Sequence, residues 1–109
     1  FWASWCSSCR MGMKALQNAY DRYGDEVHFL MVNMTDGARE TIATASECIE
    51  QEGYTFPVYY DTTGTASLFY SVYSLPTTYF IDENGHYFTR AIGALNDQGL
   101  EDVLRLMRS

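Results

Sequence analysis

Two prolines, seven basic side chains and three cysteines are all that this 109-residue chain contains of each. Seven Lys and Arg against fourteen Asp and Glu leave a formal charge of −7. The few cations are scattered, which excludes nucleic acid and anionic membrane as natural partners, since both call for clustered positive charge. A membrane-spanning helix takes about 20 consecutive apolar residues, and a secretory signal needs a basic start and an apolar middle; neither pattern occurs. Three cysteines are too few for a disulfide scaffold of several bridges. Internal repeats, low-complexity tracts and linkers are also missing.

What is present is a globular composition, with 47% apolar and 16% aromatic residues, which excludes a disordered or collagen-like chain. A chain of 109 residues makes one domain, here residues 1–109, around a single core. It has no initiating Met and opens on Phe1-Trp2-Ala3, which reads as the tail of a buried strand already under way. The first strand is therefore expected to be partly missing, and the lack of a targeting signal says nothing about location.

Apolar residues at Cys9, Met13, Leu16 and Tyr20 lie near i, i+4, i+7 and i+11 and predict a helix from Cys6 to Tyr23, with Gly24 as its stop. Val27 to Met34 is almost wholly apolar, as in a strand covered on both faces. A second helix is expected from Ala38 to about Glu52, with Ile42, Ala45 and Ile49 inward and Gly53 ending it. Pro57 to Tyr60 reads as a short strand and Thr65 to Tyr70 as a short helix. Thr77–Ile81 and Tyr87–Ile92 form a hairpin around the turn Asp82-Glu83-Asn84-Gly85, with Gly93 after it. Leu100, Val103, Leu104 and Met107 mark a terminal amphipathic helix. The predicted class is α/β, a mixed central sheet with a C-terminal antiparallel hairpin, flanked by helices.

Trp5-Cys6-Ser7-Ser8-Cys9 carries the chemistry. Thiols three residues apart at a helix start share one face. The helix N-terminus offers unpaired N–H groups and the positive end of the dipole, both of which favour a thiolate. A thiolate with a second thiol in reach can attack a disulfide and then be resolved. Cys6, at the helix tip, is the expected nucleophile and Cys9, one turn in, the resolving thiol. A zinc site would have to draw on Cys48, His28 and His86, none at ligand spacing. A purely structural disulfide over so short a loop adds little stability.

The segment Phe1-Trp2-Ala3-Ser4-Trp5-Cys6-Ser7-Ser8-Cys9 resembles the active-site segment of thioredoxin-fold proteins, most of all the TlpA/ResA-like branch of bacterial extracytoplasmic thiol–disulfide oxidoreductases. Gly53-Tyr54-Thr55-Phe56-Pro57-Val58-Tyr59-Tyr60-Asp61, Leu75-Pro76-Thr77-Thr78-Tyr79-Phe80-Ile81-Asp82 and Asn84-Gly85 follow in the same order, so the resemblance spans nearly the whole chain. It implies a missing first half of strand one with an upstream anchor or signal. It also implies a cis bond before Pro76 that sets the Leu75 backbone beside the cysteines as a ledge for an extended substrate. The implied activity is exchange of a Cys6–Cys9 disulfide with protein thiols or disulfides, as a reductant outside the cytoplasm. Electrons would come from a membrane thiol donor, with no organic cofactor. One departure stands out: these relatives carry a Glu three residues after the second cysteine and a Pro two further on, where this chain has Gly12 and Lys14. That leaves the proton route to Cys9 unassigned and suggests a less kinked first helix, unless Gly12 bends it.

Other readings stay open beside this one: a thiol peroxidase with Cys6 as peroxidatic thiol, or a metal- or haem-delivery or docking module on the same fold. Trp5 fits either a core cap or a surface wall beside the thiol, and with Leu75 and Pro76 it is the expected substrate-binding set. Trp2 and Met13 are expected in the core and Met11 on a docking surface. Arg10 and Lys14 read as solvated charges. Cys48 is expected beside the inward stripe of the second helix, as an inert thiol. His28 is expected in the buried strand and His86 just after the turn.

Overall fold

The Trp5-Cys6 peptide leads into the longest helix, and the computed structural model describes it together with all residues 1–109. Helix α1 is Ser7–Tyr23, with Cys6 as its N-cap in extended conformation. It runs unbroken through Gly12 and buries Cys9, Met13 and Ala19 on one side, as the spacing predicts. Gly24 does close it, but in right-handed geometry (φ −59°). Glycine is favoured there by closeness, because a Cβ would lie 2.6 Å from the Tyr20 carbonyl oxygen.

The apolar run after α1 yields much less strand than expected. Only Met31–Asn33 forms β1, pairing in parallel with β2, Val58–Tyr60. A ladder extends only as far as its partner, and β2 supplies three residues. Val27 and Phe29 are half-buried, whereas His28 and Leu30 are exposed. The reading of both faces covered, with His28 buried, is therefore corrected.

The second helix starts later than predicted. Asp36 to Glu40 form a turn in which Asp36 Oδ1 accepts hydrogen bonds from the backbone N–H of Ala38 and of Glu40. Helix α2 is Ile42–Glu52, opened by a capping box between Thr41 and Thr44 and closed by Gly53 in left-handed conformation (φ 70°). Ala45 and Cys48, three residues apart on one face, are buried, while Ile42 in the first turn is half exposed. Cys48 thus lies on the inward stripe, not beside it, and Ile42 is not an inward residue.

Helix α3 is Thr65–Phe69. Strands β3, Thr77–Ile81, and β4, Tyr87–Ile92, form the expected antiparallel hairpin, with a bulge between Phe80 and Ile81. Asp82 Oδ1 accepts from the N–H of Asn84 and of His86, which ties its turn. Helix α4 is Asp97–Met107, with Asn96 as N-cap. The sheet comes in two halves, β1–β2 and β3–β4. Phe1 and Trp2 lie between them: Trp2 bonds to Val32 and Met34, and Phe1 exchanges backbone bonds with Thr77.

Two apolar clusters fill the interior. One holds Trp2, Cys6, Cys9, Met13, Cys48 and Phe56; the other holds Ala19, Phe80, Leu100 and Leu104. Leu16 packs against both, so α1 is their common wall. Trp2 and Met13 are core residues as expected, and Trp2 Nε1 is buried with no hydrogen-bond partner.

Candidate active site

Both thiols are free, and both belong to the first cluster. Cys6 remains 8% exposed against 2% for Cys9, so the first cysteine is the more accessible of two recessed groups. Cys6 Sγ accepts a hydrogen bond from the backbone N–H of Cys9 at 3.2 Å. The sulfur thereby takes the place of an N-cap oxygen at the positive end of α1, a position that favours negative charge. Burial pushes the Cys9 thiol up to about 12, and its hydrogen bond with Cys6 adds to the effect against a weaker opposing backbone bond from Ala3.

Gly12 stands where the related pattern carries a glutamate. A Cβ there would lie 3.4 Å from Ala94 and 3.5 Å from the Leu95 nitrogen, ordinary van der Waals contact, so the 94–95 loop packs directly over this position.

The loop before the cysteines is fastened by an acid that the sequence reading missed. Glu40 is fully buried. Its carboxylate accepts from Ser4 N–H (2.6 Å), Ser4 Oγ (2.6 Å), Asn33 Nδ2 (2.8 Å) and Thr44 Oγ1 (2.5 Å). Burial alone would raise its pKa; the bonds from Asn33, Ser4 and Thr44 outweigh burial and hold it below the usual carboxylate value. Nothing local flags such a residue, because Ser4 and Asn33 are distant in sequence.

Arg10 is more engaged than a solvated charge. Its guanidinium donates to the Ser4 carbonyl at 3.3 Å and to Cys48 Sγ at 3.4 Å, and lies 3.8 Å from Glu52. Burial raises the Cys48 thiol, with Arg10 pulling the other way. Lys14 and Met11 are exposed. His28 and His86 are both exposed too, and no group of three or more His, Cys, Asp or Glu is placed to hold a metal ion.

Trp5 is the surface wall rather than a core cap: it is 44% exposed, with the Arg39 guanidinium 3.8 Å from its ring centroid. It lines a groove of about 440 Å³ together with Leu75, Tyr73, Val72 and the turn at Asp61. The Leu75–Pro76 bond is cis. Leu75 packs against the cluster that contains both cysteines. The loop is pinned by Gly93 N–H donating to the Pro76 carbonyl at 2.8 Å and by Thr77 Oγ1 donating to Ser74 O at 2.7 Å. Leu75's own N–H and C=O take no part in the backbone hydrogen bonding.

A family model for the AhpC/TSA family matches residues 1–86, most of the chain. The chain belongs to the AhpC/TSA family. Among similar sequences is the thiol-disulfide oxidoreductase ResA of Oceanobacillus iheyensis, 34% identical over 104 residues. That match covers 95% of this chain but spans only about half of the relative's length, 53%. The crystal structure of StoA from Bacillus subtilis superposes with a TM-score of 0.83 at 26% identity, covering 94% of this chain and 76% of that one. The pneumococcal exposed lipoprotein thioredoxin Etrx1 of Streptococcus pneumoniae gives 0.79 at 26% identity, with 97% and 80% covered. The fold is therefore thioredoxin-like, as the sequence resemblance implies.

Proposed function

We propose that this domain is a thiol–disulfide oxidoreductase in which Cys6 attacks and Cys9 resolves. The carrying observation is the sulfur geometry: Cys6 Sγ caps α1 through the Cys9 N–H at 3.2 Å, while the Cys9 thiol stays buried and protonated. The Cys6 thiolate attacks one sulfur of a partner disulfide, forming a mixed disulfide and expelling the partner's other sulfur as a thiolate, which takes up a proton. Cys9 then loses its proton and attacks Cys6 Sγ. The bond to the partner breaks, a Cys6–Cys9 disulfide forms, and two electrons have passed to the partner. Run backwards, the same atoms donate a disulfide. No organic cofactor enters these steps.

Trp5, Leu75 and Pro76 form the substrate ledge in this reading. The free N–H and C=O of Leu75 support it, since an extended partner segment can pair with them as an added strand. Partners are protein disulfides or thiols. A reducing role outside the cytoplasm, fed by a membrane thiol donor, is part of the proposal; its location draws support from the likeness to Etrx1, an exposed lipoprotein thioredoxin. Peroxide reduction at Cys6 is the weaker reading, because Arg10 directs its guanidinium to Ser4, Cys48 and Glu52.

The test is reduction of a protein disulfide by wild type, Cys6→Ser and Cys9→Ser, with the potential of the couple measured alongside. Wild type is expected to turn over, Cys6→Ser to be inert, and Cys9→Ser to stall as a mixed disulfide. Equal behaviour of all three proteins would sink the proposal. A Cys9→Ala variant would then trap physiological partners on Cys6.

A further inference from the structure

The groove beside the cysteines holds three charged side chains, Asp36, Arg39 and Asp61. Two of them are already committed. Asp36 Oδ1 takes the N–H of Ala38 at 2.9 Å and of Glu40 at 3.0 Å. Asp61 takes the N–H of Ala66 at 3.0 Å and of Ser67 at 2.9 Å, one on each oxygen. Their charges are spread into backbone donors and serve the turns they close.

Arg39 is the exception. Its guanidinium carbon lies over the Trp5 ring, 3.8 Å from the centroid, and the side chain forms no hydrogen bond or close ion pair. After the N–H groups of Ala38 and Glu40, its own backbone N–H and its charge do help hold Asp36 below the usual carboxylate value. Of the other arginines, Arg10, Arg22, Arg105 and Arg108 each meet a carboxylate and Arg90 pairs with Tyr79. A guanidinium held over an aromatic ring without a close ion-pair partner keeps N–H donors available, and those donors suit bidentate capture of a carboxylate. The stacking partner of Arg39, Trp5, is the residue directly before Cys6, and both Trp5 and Arg39 line the groove that Leu75 borders.

We propose that Arg39, held over the Trp5 ring, is a specificity-determining residue that takes a carboxylate from the peptide flanking the partner's reactive cysteine. The proposal rests on the oxidoreductase reading and names its substrate chemistry. With a formal charge of −7 the domain repels acidic proteins as a whole. The selected partner is therefore a neutral or basic protein with a single Asp or Glu close to its cysteine, so that Arg39 acts through local fit rather than long-range steering.

Three model peptides, each carrying one cysteine in a disulfide with a small neutral thiol and differing only in Glu, Gln or Lys beside that cysteine, test this directly. Wild type is expected to reduce the Glu peptide with a KM roughly five-fold below that for the Gln peptide at low salt, with kcat alike and the gap closing as salt rises. Arg39→Gln is expected to bring the Glu/Gln ratio to one, and Arg39→Glu to shift preference to the Lys peptide. A Glu/Gln ratio of one in wild type, or a ratio unchanged in Arg39→Gln, overturns the assignment. A small dicarboxylate disulfide is run in parallel, and an Arg39-dependent preference seen with it but not with the peptides overturns the peptide as the source. Failure of wild type to reduce even the Gln peptide counts against the oxidoreductase reading instead, which keeps the two failures apart.

Discussion

At the scale of single residues, the consequence of a Cys9 thiol pushed up to about 12 is that resolution is limited by the proton on that sulfur. The thiolate fraction rises ten-fold per pH unit below the pKa. Release of a preformed mixed disulfide on Cys6, followed in a single turnover, should therefore keep accelerating from pH 7 through pH 10. A plateau below pH 8 would show that another group, not burial, governs this step. The same shift fixes a stability trend. The folded state holds the Cys9 proton above the ordinary thiol value of 9, where the unfolded chain loses it, so the reduced protein should weaken as pH climbs from about 9 towards 12. Cys9→Ala should flatten that loss. Glu40 behaves in the opposite sense: held below its ordinary value of 4.5, it stabilises at neutral pH, and that contribution disappears as pH falls through the acid range. Glu40→Gln leaves Ser4 and Asn33 donors poorly matched and should cost about 1.5–3 kcal/mol at pH 7 by urea titration, with a shallower acid slope. The cysteine pair was legible from its spacing alone. Glu40 was not, because a buried carboxylate is announced by its donors, and Ser4 and Asn33 reach it only through the fold.

Elements differ in how firmly local chemistry fixes them. Helix α1 follows its stripe closely, since Cys9, Met13, Leu16 and Tyr20 face one wall and Gly24 stops it. For α2 the start was four residues too early, as Asp36 draws two backbone donors into a turn before Thr41 opens the helix. The inward stripe was also misplaced: it runs through Ala45 and Cys48, one turn apart, and not through Ile42. Thr41 is the residue that caps α2. Thr41→Ala should cost about 1 kcal/mol and lower the thermal midpoint by several degrees, with activity in the disulfide assay retained. The run from Val27 to Met34 failed for another reason. Apolar content reports a demand for cover, whereas a strand also requires a partner of matching length, and Val58–Tyr60 is short.

For the whole molecule, the arrangement of the core decides how it unfolds. The two apolar clusters are joined through α1, with Met13 in one, Ala19 in the other and Leu16 against both. Melting either cluster strips one side of the same helix. Urea unfolding of a Trp5→Phe variant followed by the emission of Trp2, which lies in the first cluster, and by far-UV dichroism, which reports helices of both, should give coincident midpoints. Two separated transitions would mean that the clusters are independent units. This coupling was not legible in sequence, where α1 showed one stripe but not which residues it would share. The hairpin and terminal helix that build the second cluster were legible, from the Asp82–Gly85 turn and the spacing of Leu100, Val103, Leu104 and Met107.

Trp2 and Trp5 are the only two tryptophans in the chain. One is sealed in the cluster with the thiols, and the other is 44% exposed at the groove. The protein therefore has a built-in optical gauge: sulfur quenches indole emission, so oxidation of the Cys6–Cys9 pair changes the light from its neighbours. Iodide reaches Trp5 and not Trp2, which separates the two signals. Occupancy of the groove would then be read from the quenchable fraction and redox state from the protected one, in a single cuvette and without a label.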